Sequence, residues 1–240
     1  MSKIVQIKSS SMEISVDVEY GGSIVAGKIH VNGYWADFMP DTSRSAKNRK
    51  PSAPDGYPSL FARPYLPESC FVMVPYSNRI KSGCLSYGGR QYDLKRGCEH
   101  SIHGDLWYRK ANKISHQENR VALTFDMFKP VINWPVNFEV EVVYELTNES
   151  LISKIIITNK GSENFIFEGG FHPYFNKELD VNGKKHNAML RGHVKHSLIC
   201  QQTGIPDSND FEVCKKTKML KKGINLQQTH LDIDDFFEID

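Results

Sequence analysis

Apolar and polar residues alternate along Phe138–Leu146. Phe138, Val140, Val142, Tyr144 and Leu146 hold the even positions, and Glu139, Glu141, Val143 and Glu145 the odd ones. A period of two predicts a strand with one buried and one wet face. Thr147-Asn148-Glu149-Ser150 is a turn signal, and the isoleucine-rich residues 151–158 predict the next strand. Asn159-Lys160-Gly161-Ser162 turns again, residues 164–168 resume an extended pattern, and residues 121–127 precede the series in the same style. Strands joined by short turns predict an antiparallel meander, so the fold class is all-β, a sandwich or a barrel. No amphipathic helix of about 12 residues or more is predicted. Residues 39–58 carry Pro40, Pro51, Pro54 and Pro58 with a basic run through Arg44, Lys47, Arg49 and Lys50, and read as a long exposed loop. Lys215-Lys216-Thr217-Lys218 with Lys221-Lys222 reads as a solvated basic face.

Composition narrows the classes. With 240 residues, one domain spanning 1–240 is the expectation. Hydrophobic residues at 40% against 24% charged exclude a disordered chain. Thirty Lys+Arg against 28 Asp+Glu leave a net charge of +2, which gives no reason to expect nucleic acid as a partner. The longest apolar runs, Phe71-Val72-Met73-Val74 and Ile155-Ile156-Ile157, fall far short of the roughly 20 residues of a membrane helix, so no membrane association is expected. The N-terminus has no sustained apolar region of the kind that directs secretion. Cys70, Cys84, Cys98, Cys200 and Cys214 are odd in number and lack C-x-x-C spacing, so they read as reduced thiols of a cytoplasmic protein.

Two histidines sit in company that suits chemistry. His103 lies in Ser101-Ile102-His103-Gly104-Asp105, and His172 in Gly169-Gly170-Phe171-His172-Pro173-Tyr174-Phe175. Glycine beside each allows close approach of backbone or ligand. Pro173 biases His172 to an extended conformation, at a strand end where a side chain faces a cleft. Val74-Pro75-Tyr76-Ser77-Asn78-Arg79-Ile80 places Asn78 and the forked donor Arg79 after an apolar strand. Taken singly, a histidine or an arginine is more often structural. His193 and His196 come nearest to metal-ligand spacing, but a separation of three on a strand puts them on opposite faces, so no metal site is expected.

In this order and spacing, the Val74–Ile80 segment, Ser101-Ile102-His103-Gly104, Trp134-Pro135 and Phe171-His172-Pro173-Tyr174-Phe175 resemble the aldose 1-epimerase (galactose mutarotase-like) family. Gly88-Gly89-Arg90-Gln91-Tyr92-Asp93-Leu94 and Leu231-Asp232-Ile233-Asp234-Asp235-Phe236 look like further family segments. The resemblance implies a large antiparallel β-sandwich, the galactose mutarotase-like supersandwich, with a sugar cleft across one face. It implies interconversion of the α and β anomers of an aldose by acid/base ring opening, a small sugar as the partner, and no cofactor. By the same resemblance His172 is the acid that protonates the ring oxygen. His103 and Arg79 bind sugar oxygens and steady developing charge, Asn78 sits beside them, and Asp234 accepts hydrogen bonds from sugar hydroxyls. Imidazole suits the acid because its ordinary pKa, about 6.5, is close to neutrality.

The family's base is a glutamate in a strand well beyond the aspartate that Asp234 matches. The chain ends at Asp240, and Glu238 does not match the base's motif. The expectation is therefore a C-terminally truncated relative, with open sheet edges through which it self-associates. Glu168, four residues before His172, shares its face if the strand is regular and is the candidate substitute base. The alternatives are a sugar-binding or regulatory module of the same fold that has lost turnover, and a hexose-6-phosphate 1-epimerase using Arg63, Arg90 and Arg96. A Ser-His-Asp hydrolase is disfavoured by the lack of a G-x-S-x-G elbow.

Overall fold

The computed structural model describes residues 3–44, 69–94, 101–128, 134–198, 205–206, 215–227 and 236–239. These fall into two compact units, residues 1–175 and 176–240.

The first unit contains strands β1 (Ile4–Lys8), β2 (Met12–Asp17), β3 (Ser23–Val31), β4 (Tyr34–Met39), β5 (Cys70–Met73), β6 (Arg79–Ile80), β7 (Cys84–Tyr87), β8 (Arg90–Asp93), β9 (Ser101–Ile102), β10 (Lys113–His116), β11 (Arg120–Met127), β12 (Phe138–Leu146), β13 (Leu151–Asn159) and β14 (Gly170–Pro173). One sheet runs β1-β2-β3-β5-β14, with β4 pairing β3, and a second runs β10-β11-β12-β13. Every ladder in the two sheets is antiparallel. The chain is all-β and antiparallel, as the alternation predicts.

The period of two explains how the sheets meet. On β12 the even residues Phe138, Val140, Val142, Tyr144 and Leu146 are buried while Glu139, Glu141 and Glu145 stay half-exposed. The register sets Leu123 opposite Val142 and Phe125 opposite Val140, so β11 presents its apolar side to the same interior. Ile7, Ile14 and Val16 of β1 and β2, Ile24 of β3, and Cys70 and Val72 of β5 complete one core shared by the two sheets. On the wet side Lys160 meets Glu139 at 3.5 Å and Arg120 meets Glu145 at 3.9 Å.

One expectation changes and another gains an element. Residues 164–168 alternate in exposure but join no sheet. The Glu168 N–H instead donates to the Pro75 carbonyl at 2.9 Å, so the stretch spends its backbone bonding on a loop rather than on a ladder. The residues of the basic stretch form helix α1 (Lys215–Lys222) in the second unit. Thr217 and Leu220, three apart on one helix face, are buried, and Leu220 packs with Val194 and Ile224. The lysines cover the other face; their number hides the short apolar stripe.

The rest of the second unit is short ladders, β15 (Glu178–Val181) with β16 (Lys184–Asn187), β17 (Met189–Leu190) with β19 (Ile224–Asn225), and β18 (Val194–Leu198) with β20 (Phe236–Ile239). His193 lies just before β18 and is exposed, whereas His196 within it meets Glu238 at 2.9 Å. Among the described residues no three His, Cys, Asp or Glu side chains are placed to hold a metal, and no helix is long and apolar enough to cross a membrane. Residues 45–58, Arg63, Arg96, Cys98, Cys200, Cys214 and Asp234 lie outside the described residues.

Candidate active site

The site is built on β5. Its even residues, Cys70, Val72 and Val74 beyond its end, point into the core between the sheets. Phe71 and Met73 take the opposite face, where they pack with Trp107, Tyr108 and Tyr20. Pairing with β14 puts His172 directly opposite Phe71 and Phe171 opposite Val72. Residues opposite each other in an antiparallel pair share a face, so His172 joins the Phe71 side and Phe171 the core side.

The Phe71 and His172 rings stack, with centroids 4.5 Å apart and planes 13° from parallel. Phe71 is 2% exposed and His172 half-buried, so the imidazole lies over the phenyl ring as the outer layer. Tyr174 follows at 5.0 Å from His172 and is 43% exposed.

The second imidazole arrives by an irregular route. β6 pairs with β9, setting Arg79 opposite Ile102. His103, the next residue, adopts φ +60° and donates its N–H to the Asn78 carbonyl at 2.9 Å. Asn78 is also left-handed, at φ +50°. The Asp105 and Leu106 N–H groups then converge on the Val74 carbonyl at 2.8 and 3.1 Å. Gly104, at φ +64°, is where the two stretches touch, and a Cβ there would be driven into the Val74 carbonyl. Only glycine accepts both that conformation and that approach. The result brings the His103 ring to 5.4 Å from Phe71 and 5.3 Å from His172, edge-on to both.

Neighbouring groups fix this corner. The Trp107 indole N–H donates to the Gly104 carbonyl at 3.2 Å, and the Tyr108 hydroxyl to the Asp105 carboxylate at 3.1 Å. Burial pushes the Tyr76 hydroxyl well above its ordinary range, and the Asp105 carboxylate pushes further in the same direction; the Ser101 hydroxyl and Gly104 backbone pull back. Burial raises the Cys70 thiol to about 12, offset in part by the His172 backbone. Cys70 is therefore an inert neutral thiol, in line with its reading as reduced. Trp134 is buried and stacks on Tyr76 at 5.7 Å, a core role.

Of the residues singled out from sequence, His103 and His172 meet on one wall. Asn78 and Arg79 occupy the segment hydrogen-bonded to His103, with Asn78 half-buried and Arg79 exposed. Glu168 does not share a strand face with His172, because β14 begins at Gly170. Its exposed carboxylate instead accepts a hydrogen bond from the Ser77 hydroxyl, in the same segment as Asn78 and Arg79. Phe71 escaped the sequence reading. Cys70-Phe71-Val72-Met73 is apolar throughout and buried on both faces, so no alternation marks which residues line the site.

A family model described as aldose 1-epimerase matches residues 47–237. The uncharacterised proteins YphB and YihR of Escherichia coli K12 are 32% identical over 110 residues and 33% identical over 113 residues. Each match covers 45% of this chain, and 37% and 36% of the respective relatives, so the chain matches little more than a third of their length. Among solved structures, a putative aldose 1-epimerase of Escherichia coli K12 aligns with a TM-score of 0.70 at 18% identity, over 94% of this chain and 67% of that one. A GalM/aldose epimerase homologue of C. elegans gives 0.70 at 18%, over 95% and 66%. A galactose mutarotase-like protein of Clostridium acetobutylicum gives 0.68 at 20%, over 90% and 63%.

Proposed function

The chain belongs to the aldose 1-epimerase family, and from that premise we propose that it acts on a cyclic aldose, interconverting its anomers by ring opening. The observation that carries the reading is the pair of half-buried imidazoles 5.3 Å apart on one wall, beside the exposed ring of Tyr174. In opening, the C1 hydroxyl loses its proton and the C1–O bond to the exocyclic oxygen becomes a carbonyl. The bond from C1 to the ring oxygen breaks, and the ring oxygen takes up a proton. Rotation about C1–C2 and closure give the other anomer. His172 is the donor to the ring oxygen. His103 and Arg79 hold sugar oxygens, with Asn78 and Asp234 as further binding groups. Fixing acid and substrate in one frame is where most of the acceleration arises. Tyr174 offers a flat apolar surface to the C–H face of the sugar.

Two-dimensional exchange NMR on freshly dissolved α-aldoses tests this reading. Wild-type chain accelerates the exchange, and His172→Asn lowers the rate on the order of 10²–10⁴-fold. Glu168→Gln removes the activity if Glu168 takes the C1 proton; retained activity gives that role to another carboxylate. Sugar binding without accelerated exchange in the wild type replaces the proposal with the binding-module reading.

A further inference from the structure

We propose that Phe71 is the positioning residue for both imidazoles, its ring acting as the template that sets their spacing and mutual angle. Three observations, on two contacts, meet on it. The register of β5 with β14 puts it directly opposite His172. Its ring stacks on His172 at 4.5 Å and 13°. The same ring meets His103 at 5.4 Å and 63°. The two imidazoles are themselves 73° apart in plane, so one lies flat on the phenyl face while the other stands at an angle to it. Aromatic pairs gain energy in offset-stacked and edge-to-face forms, so each contact favours one imidazole orientation over others.

The template is itself immobilised. Phe71 is 2% exposed and wedged among Met73, Trp107, Tyr108 and Tyr20. Trp107 and Tyr108 belong to the turn that follows His103, tied to the Gly104 carbonyl and the Asp105 carboxylate. Phe71 thus joins the strand that faces His172 to the loop that carries His103. A smaller or non-planar side chain keeps the backbone register but removes the plane on which His172 rests. His172 then samples further rotamers, and acid and sugar fall out of line.

The test separates orientation from stability. In the wild type, the ring protons of His172 resonate upfield of those of exposed His193, because they lie over a phenyl face. In Phe71→Leu the nuclear Overhauser contacts between the His172 and His103 rings, 5.3 Å apart in the wild type, weaken and the His172 side-chain couplings average over rotamers, and kcat for anomer exchange falls on the order of 10²-fold with KM little changed. Phe71→Tyr, which keeps the ring, restores both. Val72→Ala weakens the same strand from its core side and lowers the melting temperature without moving the imidazole signals. Wild-type His172 signals that coincide with those of His193, unchanged inter-ring contacts in Phe71→Leu, or a Val72→Ala variant that loses those contacts as Phe71→Leu does, overturn the assignment; where the leucine variant does not fold, Phe71→Met gives the same reading. The kcat reading rests on the proposed epimerase activity. Absent wild-type turnover defeats that activity alone, since the contacts between the two imidazole rings report the template on their own.

Discussion

The four-stranded sheet β10–β13 and the corner formed by residues 74–80 and 101–108 lie in one compact unit but are built on opposite rules. In the sheet, ladders satisfy the backbone, and β12 alternates with core residues on one side and three glutamates, interrupted by buried Val143, on the other. In the corner, Asn78, His103 and Gly104 are all left-handed, and two N–H groups converge on the single Val74 carbonyl. Regular pairing aims successive side chains apart by construction. Convergence of distant side chains on one small volume needs backbone that departs from the ladder, and that departure carries a conformational cost. The sheet contributes stability, and the corner uses part of it.

That division can be broken at either end. The largest expected effect is in the sheet core. Phe125, 1% exposed, leaves a cavity as Phe125→Ala and costs about 3–5 kcal/mol in denaturant unfolding. Where the variant still folds, it leaves the imidazole pair unchanged by NMR; a disturbed pair shows that sheet and corner are not separable. Next comes Gly104→Ala, which forces a Cβ against the Val74 carbonyl at positive φ. It costs about 1–3 kcal/mol of stability, less than the phenylalanine, yet displaces His103 and lowers exchange on the order of 10²-fold. A Gly104→Ala chain with wild-type exchange contradicts the convergence argument. The smallest effect is chemical. Exposed Cys84 is alkylated at once in the native chain, whereas buried Cys70 is labelled only on unfolding, as read by peptide mass spectrometry. Folded Cys70 keeps its proton up to about 12, while the unfolded thiol releases it near 9.0. This group therefore contributes stability below pH 9 that is lost as pH rises towards 12, and the melting temperature falls over that interval. Native labelling of Cys70 at neutral pH removes it from the core.

The same contrast explains what was legible in the sequence. β12 is readable because one face is wet and the alternation survives in the residue types, and β13 because its isoleucines favour extended backbone. His103 and His172 are readable because glycine and proline flank them, and those residues mark irregular backbone by their own stereochemistry. Phe71 is not, since a strand covered on both faces carries no period. Helix α1 is hidden for a different reason: one of its two buried positions is Thr217, whose neighbour Ser197 lies 3.3 Å away between hydroxyl oxygens. A polar residue buried against another polar residue leaves no apolar mark. Glu168 misled because four residues along a strand imply a shared face only if the strand exists, and the Pro75 carbonyl claims the Glu168 N–H instead.

β5 turns one side to the shared interior and the other to the imidazoles, and it is only four residues long. An engineer seeking a hardier variant therefore has little room there: Val72 is fully buried, and a bulkier aliphatic at that position overpacks the core. Improvements in heat tolerance belong on the glutamate-bearing outer surface of β12, which turns away from the shared core.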